Sequence, residues 1–151
     1  MKNTLLFLLL ASWMGGCQPE ANPHSRNLTL QYKDAHMPIW VRGNDAPKKI
    51  LLYLHGGPGE CSFCLRPYFE GIEQAALVAY WDQRVAGSSR GNAAPESMHY
   101  PQFADDLKQV VLLLRKQYPS YEIYLFGHSF GVELGWQFLT TGNNQSLVQG
   151  F

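Results

Sequence analysis

Tyr121-Glu122-Ile123-Tyr124-Leu125-Phe126-Gly127-His128-Ser129-Phe130-Gly131-Val132-Glu133-Leu134-Gly135-Trp136-Gln137 carries a strand pattern, a glycine-flanked serine and a helix pattern in immediate succession. Its first six residues are β-branched or aromatic at most positions and follow the breaker Pro119-Ser120, which predicts a short buried strand. From Val132 to Thr140 the pattern changes to a helix, with Phe130, Leu134 and Phe138 spaced four apart on one face. Between the two lies Gly-x-Ser-x-Gly. A strand that turns at once into a helix forces its central residue into a strained backbone conformation. Gly127 and Gly131, without a Cβ, let strand and helix close around it. Such a turn presents Ser129 Oγ at the carboxyl edge of a sheet and at the positive end of a helix, the geometry of a nucleophile elbow.

Working back from the elbow, Pro101 to Tyr118 is a helix. Phe103, Leu107, Val110, Val111 and Leu114 form one apolar stripe, with Asp105 and Asp106 early, Arg115 and Lys116 late, and Pro119 as the stop. Ala76 to Trp81 reads as a buried strand that ends in Asp82-Gln83-Arg84. Gly87 to Pro95 is loop by composition. Cys64 to Ala75 is predicted as helix, and Lys49 to Leu54 (KILLYL) as a strand covered on both faces. That strand ends in His55-Gly56-Gly57-Pro58-Gly59. Leu28 to Tyr32 and Pro38 to Val41 alternate enough to pair as a hairpin across Lys33-Asp34-Ala35-His36. Two strand–helix–strand units in succession build a parallel sheet with helices on its faces. Beyond the elbow helix, Gly142-Asn143-Asn144 is a cap and turn, and Leu147 to Phe151 opens a further strand.

In open parallel sheets ligands bind at the carboxyl ends of the strands, and three such ends converge here: His55 to Gly59, Asp82 to Arg84, and Ser129. Acyl transfer needs a nucleophile and N–H donors aimed at the developing oxyanion. Phe130 N–H is one natural donor. Gly57 N–H is the other, because Pro58 has none and a residue without Cβ admits a substrate.

With these three motifs in this order, the chain resembles the N-terminal half of an α/β-hydrolase of the proline iminopeptidase-like group, over about residues 28–151. In that family HGGPG follows the third strand, D-x-R-G-x-G-x-S the fourth and G-x-S-x-G the fifth. Here these are His55, Gly56, Gly57, Pro58 and Gly59; Asp82, Arg84, Gly87 and Ser89; and Gly127, Ser129 and Gly131. Val85 stands where the middle motif has a glycine. The resemblance implies an α/β fold, mostly parallel, with helices on both faces, whose later strands and cap are absent. It implies Ser129 as nucleophile, Gly57 and Phe130 as oxyanion donors, and His55, Gly56, Gly59, Asp82 and Arg84 as residues of the substrate loops. No metal or organic cofactor is required. The substrate is a peptide that loses its N-terminal residue, with small esters or amides left open.

In this fold the catalytic order is Ser, then Asp or Glu, then His. After Ser129 the sequence holds one acid, Glu133, and no histidine. Glu133 lies four residues along the elbow helix and reads as solvated helix surface. His24, His36, His55, His99 and His128 all precede the serine, and none is placed to act as its base. The expectation is an incomplete domain, residues 27–151, inactive as it stands, with an exposed strand edge that favours aggregation. The alternative is a non-catalytic envelope protein or fragment with a binding role.

The remaining features bear on location. Lysines and arginines number 12, as do aspartates and glutamates, so with neutral histidines the formal charge is zero. That argues against nucleic acid as a partner. Met1 to Thr4 with Lys2, then an apolar run from Leu5 to Trp13 too short to span a bilayer, then Gly15-Gly16-Cys17, resembles a bacterial lipoprotein signal over residues 1–16. The resemblance implies lipid on Cys17, a tether over residues 17–26, and a membrane partnership through that anchor. Gln18 implies an outer-membrane protein facing the periplasm. An ordinary secretory signal is the other reading. Cys61 and Cys64 form C-x-x-C, open to a disulfide in an oxidising compartment, a thiol-redox pair or half a metal site.

Overall fold

A computed structural model describes residues 24–91 and 94–151. The signal segment, Cys17 and most of the tether lie outside the described residues. Arg26–Tyr32 (β1) and Ala35–Gly43 (β2) form an antiparallel hairpin in which Tyr32 faces Ala35. The connection is therefore two residues, Lys33 and Asp34, rather than the four expected, and Ala35 and His36 belong to β2. Lys33 and Asp34 have φ of 45° and 61°. Two successive left-handed residues give the tight turn whose twist matches that of the flanking strands.

Lys49–Leu54 is β3. A 3₁₀ segment, Phe63–Phe69, then runs into the single α-turn Glu70–Glu73 (α1). The α-helix expected over 64–75 is mostly 3₁₀ because Pro67 lies inside it, and a proline offers no N–H and crowds the preceding turn. Leu77–Trp81 (β4) and the two-residue strand Arg90–Gly91 (β5) follow. Next come Tyr100–Gln117 (α2), Glu122–Gly127 (β6) and Phe130–Thr140 (α3). The His99 side chain caps α2 by accepting the Gln102 N–H at 3.2 Å, and Pro101 occupies its first turn.

The sheet order is β1-β2-β4-β3-β6, with β5 paired to β2. The α/β architecture expected from the sequence is borne out, and the sheet is mixed. Pairing is parallel between β4, β3 and β6, and antiparallel through β2 and the hairpin. At the outer edge of β6 the residues expected to open another strand pair over a shorter span. Asn144–Leu147 forms a 3₁₀ turn, after which Gln149 N–H donates to Ile123 O at 2.8 Å and Leu125 N–H to Gly150 O at 2.9 Å.

Strand alternation divides the core between the two faces. Ile50, Leu52, Leu54, Leu77, Ala79 and Trp81 pack with Phe103, Leu107, Val110, Val111 and Leu114 of α2 and Phe130, Leu134 and Phe138 of α3. The alternate residues Tyr53, Val78 and Tyr80 face the other way, against Phe69, Phe63 and Leu65. Each fully buried large apolar side chain contributes about 1.5–3 kcal/mol, so the α2/α3 face holds most of the folding energy. The opposite face is clamped by one polar knot. Glu73 accepts both Arg66 Nε and Nη2 at 2.8 Å and the Tyr80 hydroxyl at 2.7 Å.

Candidate active site

The carboxyl ends of β3, β4 and β6 lie side by side, so the loops after them meet. His128 N–H donates to Leu54 O at 3.0 Å, which ties the start of the elbow to the end of β3. Ser129 then sits at φ 51°, ψ −118°, the only position between β6 and α3 where a non-glycine residue has positive φ. Holding an L-residue there costs about 1–2 kcal/mol, and the packing of α3 on the sheet sustains it. Serine at a helix N-cap normally spends its hydroxyl on a first-turn N–H, but Ser129 Oγ makes no such bond and is exposed. Phe130 is the first helical residue, so its N–H has no carbonyl one turn back within the helix.

Gly57 and Pro58 share a cleft of about 350 Å³ with Ser129 and Phe130, which Met98, His99, Tyr100, Phe103 and Glu133 complete. The oxyanion loop and the elbow, far apart in sequence, thus line one cavity. Gly57 has φ 110°, and a Cβ there would lie 2.5 Å from Gly59 N, so only glycine supports this turn. Gly59, with φ 112°, lies at the exposed loop exit. Gly56 N–H donates to Glu60 Oε2 at 3.1 Å, and the same oxygen lies 3.8 Å from His128 Nδ1 on the elbow.

His55, Asp82 and Arg84 lie fully buried behind the cleft. His55 Nδ1–H donates to Gly56 O at 2.7 Å while Nε2 accepts Gln83 N–H at 3.0 Å, and Gln83 Nε2 returns a bond to His55 O at 3.0 Å. Burial lowers the His55 pKa and these contacts use both ring nitrogens, so the imidazole is a neutral brace between the β3 and β4 loops. Asp82 Oδ1 accepts Ser62 N–H at 2.8 Å and Ser62 Oγ–H at 2.7 Å, and Oδ2 accepts Ser88 N–H at 2.6 Å. Gly87 packs so closely on this carboxylate that a Cβ would overlap it. Arg84 forms a two-pronged pair with Asp106 of α2, Nε to Oδ2 at 2.8 Å and Nη2 to Oδ1 at 2.7 Å. These side chains hold the substrate loops together from behind and do not line the cleft.

Val85, in the position of a motif glycine, adopts φ 55°. The backbone keeps a left-handed turn there, and a β-branched residue in that region is strained. Val85→Gly is expected to raise stability by about 0.5–1 kcal/mol, the relief of left-handed strain less the extra entropy of an unfolded glycine. Val85 is 38% exposed, so little packing is lost. A lower urea midpoint in the variant would show that the valine methyls hold the loop.

Cys61 and Cys64 are joined in a disulfide with Cα atoms 5.3 Å apart. Of the readings open for the pair, the structure takes the disulfide. Among the described residues no group of three or more His, Cys, Asp or Glu side chains could hold a metal ion. Glu133, read from the sequence as solvated surface, is exposed but also lines the cleft, and its Oε2 accepts the Tyr100 hydroxyl. Periodicity shows its place on α3, but the sequence holds no signal that the start of α2 lies across from it. His99 also lines the cleft, while its Nδ1 caps α2.

A family model described as serine aminopeptidase, S33, matches residues 45–150. The chain is 36% identical over 95 residues to a probable aminopeptidase, YbaC, of Bacillus subtilis (strain 168), an alignment spanning 62% of this chain and 30% of that one. Among solved structures, a proline iminopeptidase-related protein from Thermus thermophilus superposes with a TM-score of 0.60 at 24% identity, over 80% of this chain and 41% of that one. The epoxide hydrolase VrEH1 of Vigna radiata gives 0.65 at 17% identity, over 80% and 37%. These structural likenesses concern the fold alone. The chain spans less than half the length of each of these relatives.

Proposed function

We propose that this chain, which belongs to the serine aminopeptidase (S33) family of α/β-hydrolases, carries the nucleophile and oxyanion half of an acyl-transfer site that acts on peptides with a free N-terminus. The observation that supports it is the shared cleft: Gly57, Ser129 and Phe130 come from two distant loops and line one cavity. Ser129 Oγ attacks the scissile carbonyl carbon. The carbonyl oxygen takes up negative charge and is held by Gly57 and Phe130 N–H, each worth about 2.7–4 kcal/mol to the transition state. Collapse of the tetrahedral species expels the amine and leaves an acyl-serine, which water hydrolyses. Taking the proton from Oγ requires a base, and the sequence after Ser129 contains no histidine. In the same reading, lipid on Cys17 anchors the domain at the outer membrane, facing the periplasm.

A fluorophosphonate probe, with the labelled site located by peptide mass spectrometry, tests the nucleophile. Labelling at Ser129 is expected, and it is abolished in Ser129→Ala. The alternative reading is a non-catalytic envelope protein that binds a ligand in this cleft. A folded chain whose Ser129 stays unlabelled at high probe concentration would decide for it.

A further inference from the structure

Gly56 precedes the oxyanion donor Gly57, is buried, and donates its N–H to Glu60 Oε2 at 3.1 Å. A buried backbone N–H needs an acceptor, and here the acceptor is a side chain from the far end of the same turn. The chain folds back to bring it there: a Cβ on Gly57 would lie 3.1 Å from Glu60 N. The same Oε2 lies 3.8 Å from Nδ1 of His128, the residue before Ser129. A Cβ on Gly56 would lie 2.9 Å from that oxygen and 3.0 Å from that nitrogen, so the missing side chain lets the three groups meet. Among the described residues no lysine or arginine forms an ion pair with Glu60, and its carboxylate is turned to the two loops of the site. Downstream, Ser62 is bonded to the buried Asp82 and Cys61 is tied to Cys64, so the backbone that carries Glu60 is itself held.

We infer that Glu60 is a positioning residue for the oxyanion site, which sets the direction of the Gly57 N–H and holds its loop beside the elbow. The Gly56–Gly57 peptide is trans and planar, so the Gly57 N–H points opposite to the Gly56 carbonyl. His55 Nδ1–H holds that carbonyl at 2.7 Å. Glu60 holds the N–H on the other side of the same Cα. With both polar groups of Gly56 bonded, the two torsions that a glycine leaves loose have one setting. Without Glu60 the carbonyl bond remains, but the Gly56 torsions loosen and the Gly57 amide drifts from the point where the oxyanion forms. Glu60 touches no reacting atom and acts through Gly56. The inference rests on the acyl-transfer reading of Ser129, and its test separates the two.

The rate of Ser129 modification by a fluorophosphonate, whose phosphoryl oxygen takes the oxyanion position, is measured on the whole chain, together with the melting temperature and the amide proton shifts of 15N-labelled protein. Glu60→Ala is expected to label about tenfold more slowly, since a misaimed donor costs less than the factor of about a hundred or more for an absent one. Glu60→Gln, whose amide oxygen still accepts the Gly56 N–H, is expected to recover most of the parent rate. The Gly56 amide proton moves upfield in Glu60→Ala and stays near its parent position in Glu60→Gln. Both variants melt with the parent, because Glu60 is exposed and water replaces its carboxylate. Slow labelling of Glu60→Ala that tracks a lowered melting temperature, with no recovery in Glu60→Gln, would place Glu60 in the fold alone and overturn the inference. Glu60→Ala labelled at the parent rate, with Ser129→Ala unlabelled, overturns it as well and leaves the acyl-transfer reading standing. A folded parent that does not label at Ser129 overturns both.

Discussion

Gly131→Ala is expected to lower the thermal midpoint by about 10 °C or to leave no soluble folded protein. The added Cβ would overlap Leu54 O and lie 2.6 Å from Leu54 C and 2.9 Å from Leu54 Cβ. Two of these three atoms are backbone of β3, which is paired on both sides and cannot move alone. The helix must therefore lift off the sheet, and Phe130, Leu134 and Phe138 would lift with it. Overpacking typically costs about 1–3 kcal/mol, and a clash of backbone against backbone belongs at or above the top of that range. At about 3 °C per kcal/mol for a chain of this size, the shift is about 10 °C. The same displacement moves Phe130 N–H away from Gly57, so fluorophosphonate labelling of any folded fraction should fall as well. Gly71→Ala is the control. Gly71 lies in α1 with nothing within 4 Å of the added Cβ, and alanine there should be neutral or slightly stabilising. If the two variants melt together, the close approach of α3 to β3 is not what holds the elbow.

The close approach at Gly131 also shows why so much of the fold is legible in the sequence. A glycine two residues past a serine, between an apolar strand pattern and a helix-period pattern, has few structural solutions. The strands around KILLYL and the stripe from Phe103 to Leu114 are as plain, since burial on a sheet face and on one helix face leaves different periods. Legibility ends where long-range partners decide conformation. The tight turn at Lys33-Asp34 hides in a run of four unremarkable residues. Pro67 changes the kind of helix without removing it. In the site, Ser129, Gly57 and Phe130 can be named because their roles belong to the backbone and to one hydroxyl. What stands behind them, the His55–Gln83 brace and the Asp82–Ser62 link, joins residues 28 and 20 positions apart, and spacing along the chain carries no trace of either. Glu133 reads as plain surface for the same reason, because its place in the cleft lining depends on Tyr100 from another helix.

Arg84 carries the second large effect. Arg84→Met is expected to cost about 3–5 kcal/mol, although Arg84 touches nothing in the cleft, because it leaves the wholly buried Asp106 carboxylate with Gln102 as its one remaining side-chain donor among the described residues. Burial already pushes the Asp106 pKa above its ordinary value, and the Arg84 guanidinium and Gln102 oppose the push. Removing the guanidinium raises it further. A carboxyl group whose folded pKa exceeds its unfolded value favours the folded state at low pH and loses that advantage as pH rises through the folded pKa. The deficit of Arg84→Met should therefore be full at neutral pH and should shrink as the solution is acidified toward the unfolded value near about 3.9. The double variant Arg84→Met/Asp106→Leu removes both charges and should recover most of the loss, since a buried ion pair exchanged for apolar groups of like size is often neutral or better. Urea unfolding of the two variants from neutral pH into the mildly acid range reads all of this. A single variant as stable as the parent at neutral pH would mean that the guanidinium does not meet Asp106. A double variant no better than the single would mean that Arg84 works through its contacts with the carbonyls of Tyr32 and Lys33, 3.5 and 3.4 Å away, and that the β1–β2 turn, not α2, is what it holds.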